Sequence, residues 1–527
     1  MEKKGEHADV RKAMKKIFAE IDKNYGEAVK YLPAPLSHSN KIKGGFILKN
    51  QFLLYAMGIA LFFLMTSLHA KESHRPNILW IIAEDMSPDL GCYGNEIVTT
   101  PHLDGLAQGG MKFNRVFTTS PACSPSRTAL ATGVFQTTLG AHHMRYCKKL
   151  MPVLPAPVKV LPQLMRESGY FTGNIKNIAG TGEGKDDWQF KVPSKSWDTR
   201  SWNELIKHQP FFAQIHSRES HRGFRPPKNI PIEKIKIPPY YPDHPVTRND
   251  WAGYLESVNR FDRQVGAILQ QLKTDKLEKN TIVCVLADHG RPMIRGKNWL
   301  YDSGTQVPLI IYYPEGLKLP HAYQAGSESS ALISAIDLVA ETVLMAGASV
   351  PEWMQGRSFL RKDSTPRQYI HTAADRFGDL DMCSRAVRTD RFKYIRNYKT
   401  PGSINECTTA YRRSTHPIYH LLNIMGERDL LSSAQAQLLK PIAVEELYDL
   451  ENDPYETVNL IGKAGFENVH EELKKRMEKW IEASEDKGLE KDSDALVEHF
   501  KQYRITTFEK RAESIQRMKS SVEKHFK

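Results

Sequence analysis

Two apolar runs that end in acidic pairs constrain this chain more than any other feature. "PNILWIIAED", Pro76 to Asp85, and "NTIVCVLADHG", Asn280 to Gly290, are of strand length and bounded by turn residues. A half-exposed strand alternates apolar and polar residues, whereas a continuous apolar run is buried on both faces, as in a parallel sheet covered by helices. Patterns over 161–168 and 254–272 predict the covering helices. The expected fold is α/β, a large mixed, mostly parallel sheet sandwiched by helices. Ligands of such sheets gather beyond the carboxyl ends of the strands. Glu84 with Asp85, and Asp288 with His289, both fall at that edge.

Past about residue 366 the texture changes. "MCSRAVRTDRFKYIRNY" alternates and is rich in Arg, Tyr and Val, which predicts antiparallel strands and a hairpin. Val469, Leu473, Met477, Trp480 and Ile481 then recur at helical spacing, so the charged tail is expected to be amphipathic helix packed on the body. The expected organisation is a leader over 1–70, a catalytic α/β domain over 71–365, a smaller α+β subdomain with an antiparallel sheet over 366–468, and a helical tail over 469–527. Within the leader, the apolar run 52–64 follows Lys41, Lys43 and Lys49 and is followed by "MTSLHA". It is short for a membrane span and suits a signal-peptide core. Export to a periplasm or medium is therefore expected, with no stable membrane insertion after cleavage; the alternative is an anchor through 52–68.

The 527 residues are 40% apolar and 25% charged, which describes an ordinary globular protein, and the net charge is +12. A mild basic excess suits a polyanionic substrate, but no basic block interleaved with aromatics is present, so nucleic acid is not expected as a partner. The six cysteines have no metal-ligand spacing. Excluding Cys123, they allow two disulfides at most. Cys284 lies inside an apolar run and reads as a buried free thiol.

"PACSPSRTALATG", Pro121 to Gly133, places Cys123 before Pro125, a residue favoured in a first helical turn, and closes a good helix with Gly133. A nucleophile there sits at the positive end of a helix dipole, where anionic groups are stabilised. Glu84, Asp85, Asp288 and His289 offer hard ligands for a divalent cation, best matched by calcium.

Cys123, Pro125, Arg127, Thr132 and Gly133 resemble the sulfatase signature C-x-P-x-R followed by T-G, and "PNILWIIAED", "GKNWLYDSGTQVPLIIYYP" and "LYDLENDPYETVNL" are similar to other blocks of that family. The resemblance spans about Pro76 to Leu460. It implies that Cys123 is converted after translation to formylglycine by a formylglycine-generating or radical sulfatase-maturating enzyme, and that calcium is held at Glu84, Asp85, Cys123, Asp288 and His289. It further implies that Arg127 steadies formylglycine, that Lys176 and Lys297 bind sulfate oxygens, and that His221 faces the leaving-group oxygen.

Three positions depart from the family pattern. Glu84 stands where aspartate is commonest, His289 where many members carry asparagine, and Ile178 where the lysine block carries a histidine two places after Lys176. His142 and His143 are candidates to replace that contact. "SHRGF" is similar to the matching stretch of heparan N-sulfatase (sulfamidase)-like members, which points to a sulfated glycan substrate. Arg376, beside Asp375 and ahead of Arg385 and Arg388, is the candidate reader of a sugar carboxylate or second sulfate. The implied activity is hydrolysis of sulfate esters or sulfamates on glycans. The alternatives are a phosphonate monoester or phosphodiester hydrolase on the same scaffold, and a glycan-binding homologue without turnover.

Overall fold

The computed structural model describes residues 75–192, 195–400 and 402–527, and the expected signal peptide lies outside them. Eight strands form the main sheet: β1 (Asn77–Ala83), β2 (Met111–Phe117), β3 (Phe171–Ile175), β4 (Phe211–Ser217), β5 (Thr281–Ala287), β6 (Gln306–Tyr312), β7 (Ser327–Ser329) and β8 (Ile333–Ser334). Their order is β3-β4-β1-β5-β6-β2-β7, with β8 also on β2. β3, β4, β1 and β5 run parallel, while β6 is antiparallel to both neighbours. Every residue of β1, β4 and β5 is buried, as their apolar runs require of central strands.

Helices of six residues or more are α1 (Pro101–Gly109), α2 (Cys123–Thr132), α3 (Leu161–Glu167), α4 (Pro245–Thr274), α5 (Ala335–Met345), α6 (Ala410–Thr415), α7 (Pro417–Gly426), α8 (Glu467–Ala483) and α9 (Asp494–Glu523). α4 starts nine residues ahead of the expected 254, because the His244 side chain accepts from Val246 N–H (3.2 Å) and Pro245 opens the first turn. The polar Arg248, Asn249 and Asp250 of that first stretch hide its periodicity in the sequence. α2 ends at Gly133, whose φ of 73° is left-handed and where a Cβ would stand 2.7 Å from Met354 Cγ.

The second sheet is a four-stranded antiparallel meander, β12-β11-β10-β9, with β9 Ile370–Ala374, β10 Cys383–Arg388, β11 Phe392–Lys399 and β12 Glu445–Asp449. Leu473 and Met477 of α8 pack on its Val387, Tyr394 and Leu447. Trp480 crosses to the first sheet's side, edge-on to Phe135 (5.3 Å) and stacked on His371 (5.0 Å, 11°). The tail is thus two helices, with α9 against α6 and α7. All six cysteines are free, so no disulfide forms. Among the described residues no helix is long and apolar enough to cross a membrane.

Candidate active site

The carboxyl ends of β1 and β5 are adjacent, and the sheet's hydrogen bonding continues past them: Asp288 N–H donates to Ala83 O (3.1 Å), and Met86 N–H to His289 O (2.9 Å). This brings the two acidic pairs side by side. Asp85 adopts a left-handed φ of 55°, and its N–H donates to Asp288 Oδ1 (2.9 Å). After His289 the chain turns at Gly290, where a Cβ would lie 2.4 Å from Ser303 O. Only glycine allows that close approach.

Cys123 opens α2 beside these strand ends. Its Sγ lies 3.0 Å from Lys297 Nζ, 3.2 Å from His289 Nε2 and 3.5 Å from Asp85 Oδ1. Lys297 Nζ also donates to both Asp85 oxygens (2.9 and 2.8 Å). One turn into α2, Arg127 Nε donates to Asp288 Oδ2 (3.0 Å) and Nη2 stands 3.7 Å from Glu84 Oε1. Its Nη1 is 2.6 Å from His216 Nδ1 on β4.

Charges in this buried cluster set one another. Burial alone would raise Asp85, but Lys297 and His289 bring its carboxyl well below the usual range. Burial would lower His289, yet Asp288 and Asp85 outweigh it and hold the imidazole up at about 10. At His221 burial wins and pushes the imidazole down, against the pull of Asp85.

Ligand-type atoms of Asp85, Cys123, Asp288 and His289 lie within 4.8 Å of one another, all buried. Glu84 stays outside this foursome, facing Arg127 and Lys185, yet its Oε1 is a buried carboxylate oxygen with no hydrogen-bond donor. Hard oxygens, one imidazole and one orphaned buried carboxylate oxygen fit a divalent cation.

The structure brings Glu84, Asp85, Cys123, Arg127, His221, Asp288, His289 and Lys297 to one end of the sheet, and it does not bring Lys176 or Arg376. Lys176 follows β3, two strands from β1, and is exposed, with its N–H on Arg200 O. Neighbouring strands stand about 4.8 Å apart, so the end of β3 is roughly 10 Å from that of β1. The loop after β3 returns instead, and places Lys185 Nζ 3.4 Å from Glu84 Oε1 and 3.2 Å from Asp187 Oδ2. Asp187 is also 3.8 Å from Arg145 Nη1. A lysine with a polar partner two places on is thus present as Lys185 and Asp187, while Ile178 is a buried apolar residue.

His142 and His143 do not replace the missing histidine. They face each other (4.1 Å), and His143 Nε2 meets Asp492 (2.8 Å). Arg376 is held by Asp381 (2.7 Å) and Asp492 (3.6 Å) over the Phe500 ring. Arg385 is locked to Asp375 and Asp486, and Arg388 to Asp302. Sequence reasoning missed Lys185, Asp187, His216 and Arg412.

A cleft opens above the cluster, lined by Asp85, His221, Lys297, Tyr411, Arg412 and a face of α9. Behind it Arg222 forms a two-pronged pair with Asp250 and donates to Pro292 O (2.9 Å), anchoring the loop that carries His221.

The sulfatase family model matches residues 76–348, and a model described as the C-terminal part of N-sulphoglucosamine sulphohydrolase matches 294–428. The chain is 34% identical over 467 residues to an ulvan-active sulfatase of Formosa agariphila, covering 78% of this chain and 76% of that one. It is 25% identical over 475 residues to N-sulphoglucosamine sulphohydrolase of Homo sapiens, covering 77% and 89%. A similar fold occurs in the phosphonate monoester hydrolase of Agrobacterium radiobacter, with a TM-score of 0.56 at 18% identity over 79% of this chain and 97% of that one.

Proposed function

Since the chain belongs to the sulfatase family, we propose that it is an exported, calcium-dependent enzyme that hydrolyses sulfate esters or sulfamates of glycans through a formylglycine made from Cys123. The observation that carries this reading is Cys123 at the start of α2, in contact with Lys297, His289 and Asp85. Its partners agree: the relatives act on sulfated substrates, and the cleft above is rich in cations. The overall reaction consumes water and releases an alcohol or amine and sulfate.

Formylglycine at position 123 would supply, as its hydrate, a hydroxyl nucleophile in place of the thiol. Asp85, Asp288, His289 and Glu84 would hold a divalent cation, which would supply positive charge to offset that of the nucleophile and the sulfate. Lys297 and Lys185 offset the charge on the non-bridging oxygens, while new charge grows at the bridging oxygen as the S–O bond breaks. Arg127, pinned by Asp288, holds the start of α2 in place. His221 delivers a proton to the leaving oxygen or nitrogen, and the sulfate's negative charge offsets the burial that depresses its imidazole.

The test begins with the tryptic peptide Val116–Arg127 from protein co-expressed with a maturation enzyme. Mass spectrometry is expected to find the sulfur of Cys123 replaced by an aldehyde oxygen. Matured protein should release sulfate from an aryl sulfate faster than it cleaves an aryl phosphodiester. An unmodified thiol despite competent maturation, or a faster phosphodiester reaction, refutes the proposal.

A further inference from the structure

The cleft continues past the cluster along a wall to which α6 and α9 contribute. Arg145, Arg222, Lys297, Arg412 and Arg511 line it, against the carboxylates of Asp85 and Asp379. Three of these cations are committed: Arg222 to Asp250, Lys297 to Asp85, and Arg145 to Asp187 at 3.8 Å. Arg412 and Arg511 have no carboxylate within ion-pair distance among the described residues.

Arg412 is 1% exposed and donates only to the carbonyls of Ile294 (3.4 Å) and Lys297. Burial pulls its guanidinium down to about 10. A buried cation satisfied by neutral carbonyls is costly, and a counter-ion in the cleft removes that cost. Arg511 reaches in from α9, lies 4.8 Å over the ring of Tyr411 and donates to Ser414 Oγ (3.0 Å). The Tyr411 ring is in turn 6.2 Å from that of His221. The uncommitted charges therefore stand one aromatic ring from the histidine at the proposed leaving group.

We propose that Arg412 and Arg511 form a subsite for a second oxyanion, a carboxylate or a sulfate, borne by the glycan next to the sulfate that is cleaved. This rests on the sulfatase reading above, and it moves second-anion recognition from Arg376 to α6 and α9. Guanidinium groups suit it because they bind carboxylate or sulfate through paired N–H donors and keep their charge.

The test uses the full-length matured enzyme and three substrates: a sulfated disaccharide with an adjacent uronate, its carboxyl-reduced counterpart, and that reduced sugar with a second sulfate in place of the carboxylate. At least one dianionic substrate should exceed the reduced one in kcat/KM by roughly 10- to 100-fold, the size of one charge-assisted hydrogen bond. Whichever anion gives the higher ratio identifies the group recognised. In Arg511→Gln, which alters only the contacts to Tyr411 and Ser414, the ratio should collapse toward one, and Arg412→Gln should do the same. A wild-type ratio of one for both anions, or an unchanged ratio in Arg511→Gln, overturns the subsite. Failure of the matured wild type on all three substrates and on an aryl sulfate refutes the sulfatase reading itself.

Discussion

Lys185→Met and Lys176→Met are expected to behave oppositely. Lys185 Nζ stands 3.4 Å from Glu84 Oε1. Unit charges at that separation interact by about 5 kcal/mol at an effective dielectric of 20, before desolvation is subtracted. Asp187 at 3.2 Å shares the same ammonium, so part of its charge is already spent. What remains for a sulfate oxygen compares with one preorganised donor, whose removal costs about 2.7–4 kcal/mol, or 10²- to 10³-fold in rate. Lys176, exposed and away from the cluster, should change kcat/KM by no more than about twofold. The assay is initial-rate sulfate release from an aryl sulfate, on preparations matched for Cys123 conversion and checked by thermal melting. If Lys185 acts on developing charge, kcat falls; if it only holds the ground state, KM rises. A damaging Lys176→Met beside a tolerated Lys185→Met would refute the assignment.

Chelation of divalent cations should abolish turnover and lower the melting temperature, and calcium should restore both; full activity in excess chelator would exclude a metal at Asp85, Asp288 and His289. Arg385→Ala leaves Asp375 and Asp486 buried without their cation, so urea denaturation should show a loss of about 3–5 kcal/mol; a loss under about 1 kcal/mol would contradict this. His371, half-buried and stacked on Trp480, is held down at about 3 by desolvation and then by Arg367. The unfolded chain therefore binds more protons between pH about 6.5 and 3, and stability falls as pH drops through that window. Melting temperature measured against pH should be flatter in His371→Gln, and an unchanged slope would refute the contribution.

The central strands and the acidic ends were legible in the sequence because burial on both faces writes a continuous apolar run, and because Asp85, Asp288 and His289 follow those runs directly. Cys123 and Arg127 were legible because one helical turn fixes their spacing. Lys185 was not, since it reaches the cluster through a loop, where no periodicity links residue number to position. Lys176 drew the assignment by resemblance to the family's lysine block, but β3 is an edge strand and its end is remote from β1. The sequence signal for Lys185 is its setting, "GKDDW", a lysine with paired carboxylates ahead of a tryptophan that the fold buries. Arg376 looked free although its nearer partner Asp381 is only five residues on, because the turn that brings them together carries no periodicity, and its second partner Asp492 is more than a hundred residues away. Arg412 lies in a six-residue helix with no motif, and only tertiary structure shows that no carboxylate answers it.

The cleft-facing positions of α9 are Tyr503, Thr507 and Arg511, spaced four residues apart. At 1.5 Å rise per residue they mark off about 12 Å along the groove, like graduations on a ruler. Inserting a single residue just ahead of them would turn the following helix by about 100° and re-phase all three at once. The length of the segment leading into α9 is therefore a dial on which glycans fit, one that changes selectivity in whole steps while the chemistry stays bolted to the ends of β1 and β5.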